Sequence, residues 1–154
     1  MDEPQNTRAL SLPMDAGYQW SVGEHMERFY EGLKERRFLG ARCPSCQRVY
    51  VPPRMICEGC FQKTTEWREV GSEGVVLACS IAHVCVDTRV GGLADLEEPL
   101  AIALIRLDGA DSALVHRVGG TAPTQVAPGT RVRAVWAGET TGDLSDLKCF
   151  EPAG

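Results

Sequence analysis

Apolar positions follow two different rhythms along this chain. Val22, Met26, Phe29 and Leu33 fall at i, i+4, i+7 and i+11, one face of an α-helix. Ser21-x-x-Glu24 opens the segment as a capping box, with the hydroxyl accepting from the third helical amide and the carboxylate reaching back. Lys34, Arg36 and Arg37 suit the negative end of the helix dipole, and Gly40 follows them. Gly32 weakens the helix by about 1 kcal/mol relative to Ala. From Trp67 onward the pattern changes to strands. Gly74 to Val86 is long and rich in β-branched residues, and Pro99 to Leu107 is a second strand. Asp108-Gly109 marks a turn before Ala113 to Val118, Pro128-Gly129 marks another before Thr130 to Trp136, and Lys148 to Glu151 is the last candidate. Five strands with turn signals between them predict a small closed barrel, of which the OB-fold is the common five-stranded type.

Between the two rhythms lie Cys43-Pro-Ser-Cys46 and Cys57-Glu-Gly-Cys60, two Cys-x-x-Cys pairs with ten residues between them. Val49-Tyr50-Val51 reads as a short strand ended by Pro52-Pro53. The spacing is that of a metal site: each pair turns two sulfurs toward one ion. Four thiolates bind Zn²⁺ tetrahedrally at about 2.3 Å and leave no position for water, so one structural zinc per chain is expected on Cys43, Cys46, Cys57 and Cys60. Iron in a rubredoxin-like site would use the same geometry. A segment this short has no core of its own, and metal binding supplies its folding energy, so ribbon and barrel are expected to have separate cores. The predicted fold is mainly β: an extended arm over 1–20, an N-terminal helix over 21–37, a rubredoxin-like zinc ribbon over 38–66 and an OB-fold barrel over 67–154. In the arm, Leu10, Leu12, Met14, Tyr18 and Trp20 suit packing on the chain's own domain or on a partner.

Composition narrows the function. The chain has 154 residues, 44% of them hydrophobic, which suits a folded domain and excludes wholesale disorder. No apolar run reaches the roughly 20 residues of a spanning helix, and the Met-Asp-Glu start shows no signal peptide, so a cytoplasmic protein without membrane contact is expected. Seven cysteines in a reducing compartment argue against structural disulfides. With 16 basic against 21 acidic residues the net charge is −5. Residues 67–154 hold seven basic and twelve acidic residues, so the excess lies on the barrel. That disfavours single-stranded nucleic acid, the usual ligand of such barrels, which needs positive grooves and stacking aromatics.

The opposite charge collects around the cysteines. Lys34, Arg36, Arg37, Arg42, Arg48 and Arg54 face only Glu35 between positions 34 and 54. They offset the doubly negative zinc–thiolate centre, or they bind phosphate groups through forked guanidinium contacts. Cys79, His83 and Cys85 share one strand face by parity, but Cys79 and His83 stand about 13 Å apart on an extended strand, too far to share an ion. These cysteines and Cys149 are expected to be core residues, and His25 and His116 structural or surface residues. No nucleophile–base order, phosphate loop or carboxylate pair is legible, so no catalytic residue is expected.

The order helix, four-Cys ribbon, OB-like barrel resembles a family of zinc-ribbon/OB-fold proteins associated with acyl-CoA enzymes. The residues that carry it are Phe29-Tyr30-Glu31-Gly32-Leu33, the two Cys pairs, Val51-Pro52-Pro53-Arg54, Glu66-Trp67, Gly71-Ser-Glu-Gly74-Val-Val, Leu114-Val-His-Arg-Val-Gly119 and Pro128-Gly129-Thr-Arg-Val. It departs at Phe61-Gln62, where a small turn residue would follow the second pair. The resemblance implies a small noncatalytic subunit, docked in a hetero-oligomer on a thiolase-like catalytic subunit, an acyl-CoA aldolase or a hydratase. It is most similar to the branch serving benzoylsuccinyl-CoA thiolysis in toluene degradation. In such a complex Arg36, Arg37, Arg42, Arg48 and Arg54 are candidates to seat CoA or acyl-CoA, and Val22, Met26, Phe29 and Leu33 to form the partner interface. A standalone zinc-ribbon/OB nucleic-acid binder and an iron redox protein are the alternatives.

Overall fold

The computed structural model describes residues 21–87 and 92–154; the predicted arm lies outside them. Helix α1 spans Gly23–Lys34, shorter at both ends than expected. The capping box does not form. Ser21 Oγ accepts from the Gly23 amide at 3.2 Å, and Val22 is an N-cap without a side-chain bond. Gly23 takes φ +79°, a left-handed conformation that glycine adopts without steric cost, and this turns the chain into the helix after Ser21. At the other end the Arg37 amide donates to the Gly32 carbonyl and the Arg36 amide to the Leu33 carbonyl, each at 2.8 Å. This is a Schellman closure with Arg36 at φ 58° in the position usually held by glycine.

Gly40 therefore lies not at a helix end but inside strand β1 (Phe38–Arg42). A Cβ there would stand 2.6 Å from Val49 Cγ1, so β1 closes on β2 (Val49–Tyr50) only over a glycine. β3 (Glu66–Val70) pairs with the other edge of β1, giving an antiparallel sheet in the order β2-β1-β3. Residues 66–70 thus complete the ribbon sheet before the chain enters the barrel.

The barrel is built from β4 (Glu73–Asp87), β5 (Gly92–Leu107), β6 (Leu114–Val118), β7 (Arg131–Trp136) and β8 (Leu147–Pro152). It closes in the order β4-β5-β6-β8-β7, with β4 pairing β7 and a parallel contact, Val118↔Phe150, between β6 and β8. This is the topology of the predicted OB-fold. β4 and β5 run on past their other neighbours as a two-stranded hairpin, which makes β5 begin at Gly92 rather than at Pro99.

Ribbon and barrel do not have separate cores. Phe29 and Leu33 of α1, Phe38 of β1, Val49 of β2 and Val51 belong to one buried cluster with Val76, Ile105, Leu107, Val132 and Phe150 of the barrel. Phe38 sits with its ring centroid 4.9 Å from Trp136 and 6.2 Å from Phe150. Only Cys43, Tyr50 and Cys57, with Cys60 against them, form a second, small cluster. The two parts are also joined by polar groups. Asp111 Oδ2 accepts from the Val49 amide at 2.8 Å and its own amide donates to the Val49 carbonyl at 2.8 Å. Ser112 Oγ accepts from the Val51 amide at 2.7 Å and donates back to the Val51 carbonyl at 3.0 Å. A barrel loop thus serves as the missing neighbour strand of β2, satisfying amides that would otherwise be buried unpaired.

Candidate metal centre

The two Cys-x-x-Cys turns are near copies of each other. The Cys43 amide donates to the Arg48 carbonyl and the Cys57 amide to the Gln62 carbonyl, each at 2.9 Å. The Gln47 amide donates to the Cys43 carbonyl and the Phe61 amide to the Cys57 carbonyl, each at 3.0 Å. Gln47 at φ 65° and Phe61 at φ 57° both take the left-handed turn, so the unusual phenylalanine leaves the second knuckle intact. Its side chain is exposed.

These turns bring the four Sγ atoms within 4.8 Å of one another. Cys43 Sγ is 3.3 Å from Cys60 Sγ, and Cys46 Sγ is 3.5 Å from Cys57 Sγ. A tetrahedron of sulfurs at 2.3 Å from a zinc ion has edges of about 3.8 Å, close to this spacing. Tyr50, which the sequence offered only as a strand residue, turns out to belong to the centre: its buried hydroxyl lies 3.2 Å from Cys57 Sγ and accepts from the Glu58 amide at 3.3 Å. The Tyr50 hydroxyl, with the Cys60 and Gly59 amides, draws the Cys57 thiol down to about 6. The Cys46 amide lowers Cys43, while the adjacent Cys43 sulfur pushes Cys60 up to about 11. Four sulfurs this close cannot all shed their protons without a cation among them. The donor set fits Zn²⁺, which would tie both knuckles into one cross-link and leave no open coordination position.

The arginines offered to CoA do not form one free patch. Arg36 donates to the carbonyls of Ala137 and Gly138 at 3.2 and 2.8 Å. Arg37 pairs with Glu35 and, at 2.9 Å, with Glu69, while Arg42 pairs with Glu66 at 3.1 Å. Arg48 and Arg54 both reach Glu58, at 3.5 and 2.9 Å. Glu58, Glu66 and Glu69 lie beyond the window in which the charge excess was read, and the fold returns them to it.

The helix stripe is likewise corrected. Phe29 is 3% exposed and Leu33 0%, both within the chain's own core, with Met26 packed against it; Val22, at 44%, is the member left on the surface. Phe29 and Leu33 are therefore not free to anchor a partner. Cys79 and Cys85 are exposed rather than core residues, whereas Cys149 is buried as expected. His83 is exposed too, and among the described residues the four ribbon cysteines form the one cluster able to hold a metal. His25 is structural: its Nε2 lies 3.1 Å from the Thr64 carbonyl and 3.2 Å from Thr64 Oγ1, tying α1 to the chain after the second knuckle. His116 packs edge-on against Phe150 at 5.8 Å. No helix among the described residues is long and apolar enough to cross a membrane.

Fold and centre together define a zinc-ribbon/OB-fold protein. Residues 31–66 match the ChsH2 rubredoxin-like zinc ribbon domain, and residues 67–137 match the ChsH2 C-terminal OB-fold domain. A DUF35 domain-containing scaffold protein of Methanocaldococcus jannaschii is 32% identical over 112 residues, which cover 71% of this chain and 74% of that protein. The chain belongs to the DUF35 family. Among solved structures, a DUF35 protein of unknown function from Sulfolobus solfataricus is 27% identical, with a TM-score of 0.63 over 85% of this chain and 87% of that one. The Ltp2-ChsH2(DUF35) aldolase shares the fold, with a TM-score of 0.65 and 24% identity over 88% of this chain and 100% of that one.

Proposed function

We propose that this chain is a noncatalytic accessory subunit of an acyl-CoA enzyme, docked on a catalytic partner that carries the active site. The observation that supports this most is the likeness to the Ltp2-ChsH2(DUF35) aldolase, where the fold matched here covers the whole of a chain whose name couples it to an enzyme. The description of the Methanocaldococcus jannaschii relative as a scaffold points the same way. The centre suits such a part: a zinc ion enclosed by four thiolates is a cross-link, with no position for substrate.

The finer reading is a thiolase-type acyltransferase complex of the kind that cleaves benzoylsuccinyl-CoA in anaerobic toluene degradation. The sequence motifs support it. An aldolase partner is the second reading, favoured by the fold likeness. CoA phosphates on Arg36, Arg37, Arg42, Arg48 and Arg54 belong to the same proposal. Exposed ion pairs contribute only about 0–1 kcal/mol, so a phosphate displaces the glutamates of Arg37, Arg42, Arg48 and Arg54 at little cost.

The test is to mix the purified chain with a thiolase-like and, separately, an aldolase-like subunit from the same organism. Gel filtration reads assembly, and thiolysis and retro-aldol cleavage of CoA thioesters read activity. The chain alone should turn over neither substrate, and one of the mixtures should co-elute and reach full activity only with both subunits. A thiolase-like subunit fully active by itself excludes the finer reading. Failure of both partners to bind excludes an accessory role. Alanine at the five arginines should raise the Kd for CoA of the complex, more so at low salt, where the attraction is least screened.

A further inference from the structure

The hairpin of β4 and β5 carries a strand edge that, among the described residues, the fold leaves unpaired. One edge of β4 is paired with β5 along its length. The other edge meets β7 only at Glu73–Val75, followed by Val76, which bonds to Gly129 and Thr130. Cys79 Sγ donates to the Val126 carbonyl at 3.1 Å, and beyond it no described residue pairs with that edge. From Ser80 to Val86 its backbone groups form a template for another strand.

Proteins blunt such edges with charge, proline or irregular register. The β5 edge is blunted in all three ways. Asp95, Glu97, Glu98 and Pro99 lie there, and the register passes from Ala82↔Leu100 to Val84↔Asp95, so that Leu96 to Pro99 stand against His83 alone. The β4 edge is not blunted. It has no Asp, Glu, Lys or Arg from Gly74 to Val86. Ile81 is 37% exposed, Val84 45% and Val86 68%, and Leu93, opposite Val86, is 75% exposed. A two-stranded hairpin with these side chains in water is marginal by itself.

We infer that the free β4 edge pairs with the same edge of a second copy of this chain, antiparallel about a two-fold axis. The two hairpins then form one four-stranded sheet in the order β5-β4-β4-β5. An antiparallel pair of identical strands is self-complementary, exchanging the same donors and acceptors in both directions. The stretch of β4 from Gly74 to Val86, which has no charged side chain, brings no like charges together across the axis, although each chain carries −5. Asp95, Glu97 and Glu98 lie on β5, three strand spacings from their copies. At about 4.8 Å per spacing that is about 14 Å, beyond the ~8 Å screening length of physiological salt. Ile81, Val84 and Val86 gain apolar neighbours in the joined sheet. This inference does not depend on the accessory-subunit reading, because the experiment uses this chain alone.

Light scattering on gel-filtered full-length chain should show a dimer. The dimer should tighten with added salt, since the remaining force between the acidic hairpins is repulsive. Ile81→Lys and Val84→Lys place like charges near the axis and should each raise the dimer dissociation constant about tenfold or more. Circular dichroism should be unchanged, since both side chains already face solvent. If either variant unfolds, Ser80→Lys on the same edge serves instead. A chain that stays monomeric overturns the inference, as does a dimer indifferent to these lysines or weakened by salt. A monomer that dimerises only after removal of residues 1–20 also overturns it, since the edge then belongs to the chain's own N-terminal segment.

Discussion

Ribbon and barrel are both made of antiparallel strands, yet they are held in opposite ways. The barrel closes its ladder on itself, and its interior side chains fill the space that closure encloses. The ribbon sheet is open, with a two-residue strand at one edge, and its knuckles contribute only three buried residues to a cluster of their own. What the knuckles lack in apolar contact is supplied by four sulfurs at one point. The rest of the ribbon leans on the barrel, through Phe38, Val49 and Val51 on the apolar side and Asp111 and Ser112 on the polar side. A fold can thus place a metal-dependent element on a self-sufficient one, provided that the seam is packed and its hydrogen bonds are closed.

Removing the metal should separate the two most strongly. Mass spectrometry should find one zinc per chain, lost in the Cys57→Ser, Cys60→Ser double variant. Zinc is worth about 10–16 kcal/mol to isolated finger peptides, more than most whole domains have in reserve. The knuckles should therefore open to protease between Cys43 and Thr64, while far-UV circular dichroism keeps the barrel signal. The barrel's Tm should nonetheless fall, because Phe38, Val49 and Val51 share its core. An unchanged Tm after chelation would mean that the shared core contributes little.

A smaller effect should come from the seam. Asp111→Ala and Ser112→Ala each leave a β2-side amide without its partner, at about 1–3 kcal/mol apiece. Hydrogen exchange at Val49 and Val51 should speed up, and one thermal transition should split into two. A single, merely shifted transition would show that apolar packing alone couples the halves.

The smallest effect should be a pH dependence confined to the barrel. Burial holds His116 below its ordinary 6.5, with the Arg117 carbonyl opposing. The unfolded chain therefore takes up this proton first as the pH falls. The stability tied to the neutral ring is fully present above 6.5 and is lost as the pH drops through the lower folded value. Barrel stability measured by urea unfolding should decline as the pH falls from 6.5 to that lower value and level off below it, and His116→Asn should flatten the decline. An equal slope in the variant would assign the dependence to other groups.

Much of this was legible before folding. The Cys spacing named the metal ligands because two short turns suffice to aim two pairs of sulfurs, and turns are local. Strand positions followed from β-branched runs between Gly and Pro signals. What was missed depended on distance along the chain. Tyr50 looked like any strand residue, since Cys57 meets it only once the knuckle has turned back. The arginines looked unpaired because Glu58 arrives from the second knuckle, and Glu66 and Glu69 from β3. The stripe on α1 looked like an interface because periodicity tells that a helix has an apolar face, not what covers it.

The sequence by itself determined the local chemistry: four thiolates at metal-binding spacing, an amphipathic helix, and five strands of barrel length. Only the tertiary structure decided how these meet, because pairing of residues far apart depends on which surfaces the closed barrel leaves free. It put Phe29 and Leu33 inside, returned carboxylates to the arginines, made Asp111 and Ser112 the neighbour of β2, and left the β4 edge from Ser80 to Val86 unpaired among the described residues. Most of those outcomes come from loop closure and packing between segments far apart in the chain, with Asp111 and Ser112 meeting the β2 side across 62 and 61 residues, which no spacing within one segment records.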